Sequence, residues 1–508
     1  MPESLESLNQ PNNCTLADHS PTHFICTVCN RTFPHHGHPR ERCLRYCRGA
    51  EGAEQRAKMP GLLTRAKSLG KAVGRHIANG SQTVPDEVHK QRLEICYGCP
   101  QYQDKSCRIC GCQMTLKAGM ATEDCPAGKW PKWPVRKPGP LRVAFLTPSL
   151  GQGGAERWIV DLCRYLPAKD VDVRSVWLAD TGQSWQPVVD ELVSLDVAVF
   201  GGPNLMAGRP NAVSGITRIT PQVESLRQAM QDIDVAVTWG LPGIGPMLQQ
   251  AGFRGRVVVV AHCEGDPTAQ MLRHSIEGVT HFAAVSDKAG REFPADIWPQ
   301  VRVIWNGCDT GRVQPIRGRA AQRAEWGLSD DEVAIGYLGR LHNDKRPLTI
   351  VQAAVACGPQ YRPVLIGEGL HQVGILSAAR HTVGDRLIAP GPISPIGDAL
   401  AALDVWMLAS HSEGCTIAML EAWTSGVPVV ATIVGSLAEM QRQYGAMVTP
   451  IPTDPTDIDL IGAIHHALSP SGRSIADHAR QVALEHLTAE LSAQRWAEWL
   501  REICPVAV

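Results

Sequence analysis

Glu413 and Glu421 are separated by seven residues within ASHSEGCTIAMLEAWTSGVPVVAT (409–432). The apolar periodicity between them reads as a helix, so Glu413 falls in the preceding loop and Glu421 about two turns in. There Glu421 can accept both hydroxyls of a diol, and Glu413 can contact a sugar hydroxyl. Gly414, Cys415 and Thr416 stand at the helix start, where backbone N–H groups can hold a phosphate. Arg340 and Lys345 lie five residues apart in GRLHNDKRP (339–347). Two cations so spaced suit a diphosphate; by themselves they fit solvated surface charges as well. A third feature is PSLGQGGAERWIVDL, in which Gly151, Gly153 and Gly154 allow close backbone approach. The helix beginning there, 154–166, offers N–H groups and a partial positive charge to a phosphate or sugar oxygen. A glycine-rich turn of this kind is as often purely structural.

These residues need elements to hold them. From residue 141 short β-rich runs alternate with helical stretches: 141–147, 171–178, 195–200, 233–239, 256–262, 280–286 and 301–307, then 333–339, 361–367, 404–410 and 427–432. Near-continuous Val, Ile, Leu and Ala suit strands buried on both faces, as parallel sheets flanked by helices require. Two sets of roughly 170 residues each predict an α/β chain with two Rossmann-like, doubly wound domains facing one cleft. Arg340 and Glu413 then follow strand ends, the ligand-binding edge of open sheets. The final helix, 487–503, starts plausibly at Thr488 and carries a stripe of Trp496, Trp499, Leu500 and Ile503.

GGAER (153–157), WNGCD (305–309), GRLHNDKRP, IGEG (366–369) and SEGCTIAMLEAWTSGVPVV, in that order, resemble the retaining glycosyltransferases of family four, which have the GT-B fold. The resemblance covers about 70% of the chain, roughly 141–500. It implies a nucleotide-diphosphate sugar donor and an acceptor hydroxyl. By position it makes Arg340 and Lys345 the neutralisers of the diphosphate and Glu421 the ribose ligand. Glu413 would contact the donor sugar, Gly153 and Gly154 would line the donor–acceptor junction, and His262 matches a frequent active-site histidine. The resemblance further implies no catalytic metal, front-face attack with retention, and a last helix that crosses back to couple the halves as a hinge. Two departures stand out. Cys415-Thr416 replaces the usual Phe-Gly or Pro, and Lys345-Arg346 replaces Lys-Gly.

The front of the chain differs in kind. Of 17 cysteines, 11 precede residue 126. Residues 1–140 hold 20 Lys+Arg against 12 Asp+Glu, a balance of +8, within a chain of formal net charge −1. With no export signal visible, clustered cysteines read as metal ligands before disulfides. Cys96-x2-Cys99 and Cys107-x2-Cys110 have the spacing of two zinc knuckles, and Cys112 or Cys125 could replace one ligand. An earlier cluster, Cys26-x2-Cys29 and Cys43-x3-Cys47 with His35, His36 and His38 between, fits four cysteines or three and one histidine. Cys14 stands apart. Both modules are small enough to need metal for stability. The stretch ICYGC…CRICGCQMTLKAGMATEDCPAGKW resembles a Cys-rich module ending in CP-x-GKW that is appended to other domains in bacterial and phage proteins. That resemblance implies no activity.

The expected order is a Cys/His zinc module (1–50), a basic, partly helical connector (51–91), a zinc-ribbon-like module (92–130), a Pro-rich linker (131–140), an acceptor-side domain (141–310), a donor-binding domain (311–486) and the crossing helix (487–508). The basic helical stretch 61–77 reads as a solvated helix packed on its neighbour, with an acidic partner or membrane surface as the other reading. No apolar run is long enough to span a membrane. The expected location is cytoplasmic, with peripheral attachment to the inner membrane face as an option. The expected function is glycan or polysaccharide synthesis. The alternatives are a glycosyltransferase directed to protein or nucleic acid by its basic Cys-rich front, and a zinc-dependent adaptor with an inactive GT-B body.

Overall fold

The computed structural model describes residues 59–78, 83–84, 86–127, 129–130, 139–151, 153–179, 185–201, 219–241, 243–263 and 277–504, together with the strands 16–20, 23–26 and 32–34. The chain divides into two compact units, residues 1–137 with 506–508 and residues 138–505.

The larger unit holds two parallel sheets. The first contains β1 (Leu141–Thr147), β2 (Val171–Leu178), β3 (Ala198–Gly201), β4 (Val235–Thr238), β5 (Arg256–Ala261), β6 (His281–Ala284) and β7 (Val301–Val303), in the order β7-β6-β5-β4-β1-β2-β3. The second contains β8 (Val333–Leu338), β9 (Tyr361–Ile366), β10 (Ile388–Gly391), β11 (Val405–Leu408), β12 (Val429–Thr432) and β13 (Thr449–Ile451), ordered β10-β9-β8-β11-β12-β13. Each is a doubly wound sheet whose strand order reverses beside its first strand, between β1 and β4 and between β8 and β11. Burial on both faces explains the unbroken apolar runs: Val258, Val259, Val260 and Ala261 of β5 are all fully buried. Every strand expected from sequence is present, and β10 and β13 are additional. Both are short edge strands interrupted by proline, which weakens the strand signal.

Four helices of this unit matter below: α1 (Gly154–Tyr165), α2 (Ile417–Thr424), α3 (Leu437–Tyr444) and α4 (Ala489–Ile503). The Thr488 side chain accepts the Leu491 N–H at 3.2 Å and so caps α4. The buried face of α4 then lies on α1, with the Trp158 and Trp496 rings 5.4 Å apart. Arg256 Nε donates to the Ile503 carbonyl at 3.1 Å, fixing the far end of α4 to β5.

In the smaller unit, residues 16–20, 23–26 and 32–34 form an antiparallel sheet. Helices Leu62–Ala78 and Asp86–Tyr97 and a hairpin of Tyr102–Gln103 with Ser106–Cys107 surround Cys96, Cys107, Cys112, Met114, Ala118 and Trp130. The basic helix packs on this core. Ala72 is buried, and Arg75 makes a two-pronged pair to buried Glu123 at 2.9 and 2.8 Å. Part of its charge is therefore spent inside the unit. Among the described residues, no helix is long and apolar enough to cross a membrane.

Candidate donor site

Arg340 and Lys345 leave the C-terminal end of β8, and Glu413 follows β11. These strands are neighbours, so the three side chains come from loops flanking the reversal point of the second sheet. Lys345 Nζ lies 2.9 Å from Glu413 Oε1, with the two side chains 17% and 10% exposed. Arg340 is exposed. Its loop is nonetheless fixed, because Tyr337 donates its hydroxyl to the Arg340 carbonyl at 2.8 Å and the Leu341 N–H reaches the Glu368 carbonyl at 2.9 Å. A Cβ on Gly367 would come within 2.1 Å of the Gly339 oxygen, so this IGEG glycine permits the two loops to touch.

Gly414 makes an equally close approach. A Cβ there would lie 1.8 Å from the carbonyl oxygen of His262, at the end of β5 in the other sheet. The loop holding Glu413 thus abuts the first half of the unit at His262. The His262 ring stands edge-on to Trp158 at 4.7 Å and to Trp239 at 5.5 Å. Burial there depresses its pKa to about 3, so the imidazole is neutral at physiological pH.

Thr416 occupies the cap position of α2 in extended conformation, and its side chain makes no capping bond. Cys415 is buried, and desolvation pushes its thiol up to about 12, far from a reactive thiolate. Its carbonyl accepts Asn306 Nδ2 at 2.8 Å. Both residues bring backbone to the site.

Two sequence profiles match in tandem, "Glycosyltransferase Family 4" over residues 152–312 and "Glycosyl transferases group 1" over residues 332–468. Together they span more than half of the chain. The chain belongs to the group 1 and family 4 glycosyltransferases. It is 26% identical to D-inositol 3-phosphate glycosyltransferase 2 of Catenulispora acidiphila, over 67% of this chain and 91% of that one. It is also 26% identical to the N-acetyl-alpha-D-glucosaminyl L-malate synthase of Bacillus anthracis, over 38% of this chain and 53% of that one. Among solved structures, Anabaena HepE in complex with UDP-glucose superposes with a TM-score of 0.59 at 21% identity, covering 71% of this chain and 100% of that one. At that identity the likeness shows a shared GT-B fold.

The candidate site differs from the sequence expectation in two places. Glu421 is buried in α2, and its Oε1 is paired with the Arg312 guanidinium. Spacing gave no sign of this partner, which lies 109 positions away. The second difference is at the glycine turn. Glu156 folds its carboxylate back over Gly153, where a Cβ would lie 2.2 Å from Oε2. The carboxylate accepts the backbone N–H groups of Gly151, Gly153 and Glu156 itself. Those expected to meet a phosphate or sugar oxygen therefore include two answered from within the chain. Burial raises the Glu156 pKa, and the nearby Arg340 charge partly counters it. An acidic residue in a first helical turn is a recognisable capping signal, and this one was missed. Gly154 faces open space.

In the smaller unit, Cys96, Cys99, Cys107 and Cys125 line one hollow. Trp130 Nε1 approaches Cys96 Sγ at 3.4 Å, and the Cys107 sulfur receives the N–H groups of Ile109 and Cys110. Cys110 lies between Cys107 and Cys112. Among the described residues, no three His, Cys, Asp or Glu side chains converge as ligands of one ion would. For the earlier cluster, Cys29, Cys43 and Cys47 with His35, His36 and His38 lie outside the described residues, as does Cys14; of Cys26 only its strand is described.

Proposed function

We propose that this glycosyltransferase moves a hexosyl group from a uridine diphosphate sugar to an acceptor hydroxyl with retention of configuration. The observation that carries the reading is the Lys345–Glu413 pair at the sheet reversal, beside Arg340 and against His262. Arg340, Lys345 and the N-terminus of α2 would stabilise charge developing on the leaving diphosphate. Binding of phosphate would draw Lys345 from Glu413 and free that carboxylate for a sugar hydroxyl. The acceptor hydroxyl attacks the anomeric carbon from the face the diphosphate leaves. The C–O bond to the diphosphate breaks, and the departing phosphate oxygen takes the hydroxyl proton. The uridine choice is supported by HepE, which was solved with UDP-glucose. The relatives named for inositol phosphate and malate support a small hydroxylated acceptor.

The test is a nucleotide-sugar panel, scored by thermal shift and by release of free nucleoside diphosphate. A UDP-sugar should stabilise the protein and be slowly hydrolysed. Folded protein that neither binds nor cleaves any donor would overturn the reading.

We also propose that the second Cys cluster holds a structural zinc ion. The support is the shared hollow and the two N–H groups aimed at Cys107, which would stabilise a metal-bound thiolate. Elemental analysis of purified protein should give at least about one zinc per chain, with loss of the unit's fold on chelation. Metal-free protein with an unchanged melt would refute it.

A further inference from the structure

We propose that Arg346 is a positioning residue for Glu413: its guanidinium latches the loop after β11 to the loop after β13, and so keeps Glu413 in place when Lys345 turns to the diphosphate. The inference rests on the reading of Glu413 as the ligand of the donor sugar.

Arg346 occupies a backbone position that suits another residue. Its φ is 51°, in the left-handed region, and the family usually has glycine there. A side chain kept at a strained position points to a use for that side chain. This one ends among two other loops of the same sheet edge. Nη1 donates to His411 Nε2 at 2.6 Å and to the Thr453 carbonyl. Nη2 lies 3.3 Å from Asp454 Oδ1, which is also 3.4 Å from His411 Nε2. A guanidinium only donates, so the His411 nitrogen accepts. His411 follows β11, and Thr453 and Asp454 follow β13. One planar group, 25% exposed, thus joins the loops after β8, β11 and β13.

Glu413 stands two residues beyond His411 in the loop so held. That loop has two grips on it from the β8 side, the Lys345–Glu413 pair at 2.9 Å and the Arg346 latch. A donor affects them differently. Phosphate would draw Lys345 away from Glu413 and end the first grip. The Arg346 contacts do not involve Glu413, so they survive the exchange and leave the freed carboxylate aimed at the sugar. Lysine at 346 would keep the charge, but its single nitrogen cannot reproduce a planar fork that serves both loops.

The experiment measures binding of UDP, UDP-glucose and UDP-N-acetylglucosamine by titration calorimetry to wild type, Glu413→Ala, Arg346→Gly, Arg346→Lys, His411→Gln and His411→Leu, each checked for folding by circular dichroism. Glu413→Ala should weaken the sugar nucleotide that wild type binds by about tenfold without weakening UDP. Arg346→Gly, Arg346→Lys and His411→Leu should each weaken it by about threefold or more and leave UDP within about twofold. His411→Gln keeps an acceptor in place of the ring nitrogen and should recover most of the affinity that His411→Leu loses. A cation that only attracts the nucleotide would cost UDP at least as much, since UDP carries the greater negative charge. A contact with a purely structural role would change the melt and neither affinity. Wild-type affinity for the sugar nucleotide in folded Arg346→Gly and Arg346→Lys overturns the inference and leaves the Glu413 reading intact, as does an equal loss for UDP. Undiminished binding by Glu413→Ala overturns the Glu413 reading and the inference with it, as does wild type that binds UDP alone or none of the three. Arg346→Lys and His411→Leu decide the matter should Arg346→Gly fail to fold.

Discussion

Replacing Gly414 by alanine tests the central junction of the site with one carbon atom. The new Cβ would lie 1.8 Å from the His262 carbonyl oxygen, 2.8 Å from its carbonyl carbon and 2.9 Å from a methyl of Val285. The first two are backbone atoms at the end of a buried strand and cannot rotate away. Ordinary contact begins near 3.4 Å, so the loop and β5 must separate by about 1.6 Å, the difference between 3.4 and 1.8. The loop cannot simply slide backward. The Gly414 carbonyl accepts the Ser436 N–H at 2.7 Å, and Gly435 presses on the same oxygen from behind. Glu413 and the start of α2 would move with it, relative to Arg340 and Lys345.

A misplacement of roughly 1 Å in a catalytic constellation costs on the order of 100-fold in rate. Overpacking costs about 1–3 kcal/mol of stability, which an ordinary domain survives. Gly414→Ala should therefore stay folded, melt several degrees lower and release nucleoside diphosphate from its donor about two orders of magnitude more slowly. Gly154→Ala is the control. It heads a helix with nothing within 4 Å of its Cβ, so it should fold as well as wild type. Wild-type turnover and melting in Gly414→Ala would refute both the junction and the role given to the loop.

Lys345→Ala should lower turnover by about 100-fold or more while the protein stays folded, measured as release of nucleoside diphosphate; wild-type turnover would remove Lys345 from the proposed donor site. His262 is depressed to about 3 against an ordinary 6.5, so between those values the unfolded chain binds a proton that the native state refuses. The resulting stability is fully present above about pH 6.5 and is lost as pH falls toward 3. His262→Phe should flatten the acid side of a plot of melting temperature against pH, and an unchanged slope would contradict the neutral, enclosed ring. His281, depressed to about 4, contributes in the same direction and remains in both proteins. Arg346 stands at φ 51°, where glycine is favoured, in the position where the family usually has glycine. Arg346→Gly should be more stable than Arg346→Ala by about 1 kcal/mol in denaturant melts, since both lose the same guanidinium contacts and only one keeps the left-handed strain. Equal stabilities would mean that the backbone there relaxes.

Two sheets could be read directly because burial on both faces writes itself as apolar runs. β10 and β13 could not, since an edge strand is half paired and each of these carries a proline. The positions of Lys345 and Glu413 at one sheet edge were legible for a related reason. Strand ends and helix starts are local signals, and Lys345 and Glu413 each stand beside one. What failed was every feature made by a partner distant in sequence. Glu421 looked free because Arg312 is brought to it only by the fold. His262 looked like a strand-end histidine, and nothing nearby in sequence announces the indoles of Trp158 and Trp239. The glycine turn looked open because Glu156, three residues beyond Gly153, was read as part of a helix and not as its cap.

The linker between the sheets is held more firmly than a hinge at residues 305–309 would require. The Cys308 N–H bonds to the Leu487 carbonyl at 2.9 Å, and the Ala489 N–H returns to the Cys308 carbonyl at 2.8 Å. A Cβ on Gly307 would lie 2.2 Å from the Thr488 oxygen, so the two segments are in direct backbone contact. Trp305 Nε1 donates to Glu439 of α3 at 2.9 Å, and its carbonyl accepts the Ser492 hydroxyl of α4 at 2.8 Å. Asn306 meanwhile holds the Cys415 carbonyl in the loop between β11 and α2. Rotation within this stretch would break all of these bonds together. Any opening of the cleft must therefore carry 305–309, the start of α4 and the loop between β11 and α2 as one body, and yield instead where the halves meet through fewer bonds. The Glu439 contact with the Asp287 N–H, at 2.7 Å, is one such point, because only the long Arg442–Asp287 pair, at 3.9 Å, accompanies it between α3 and the end of the first sheet.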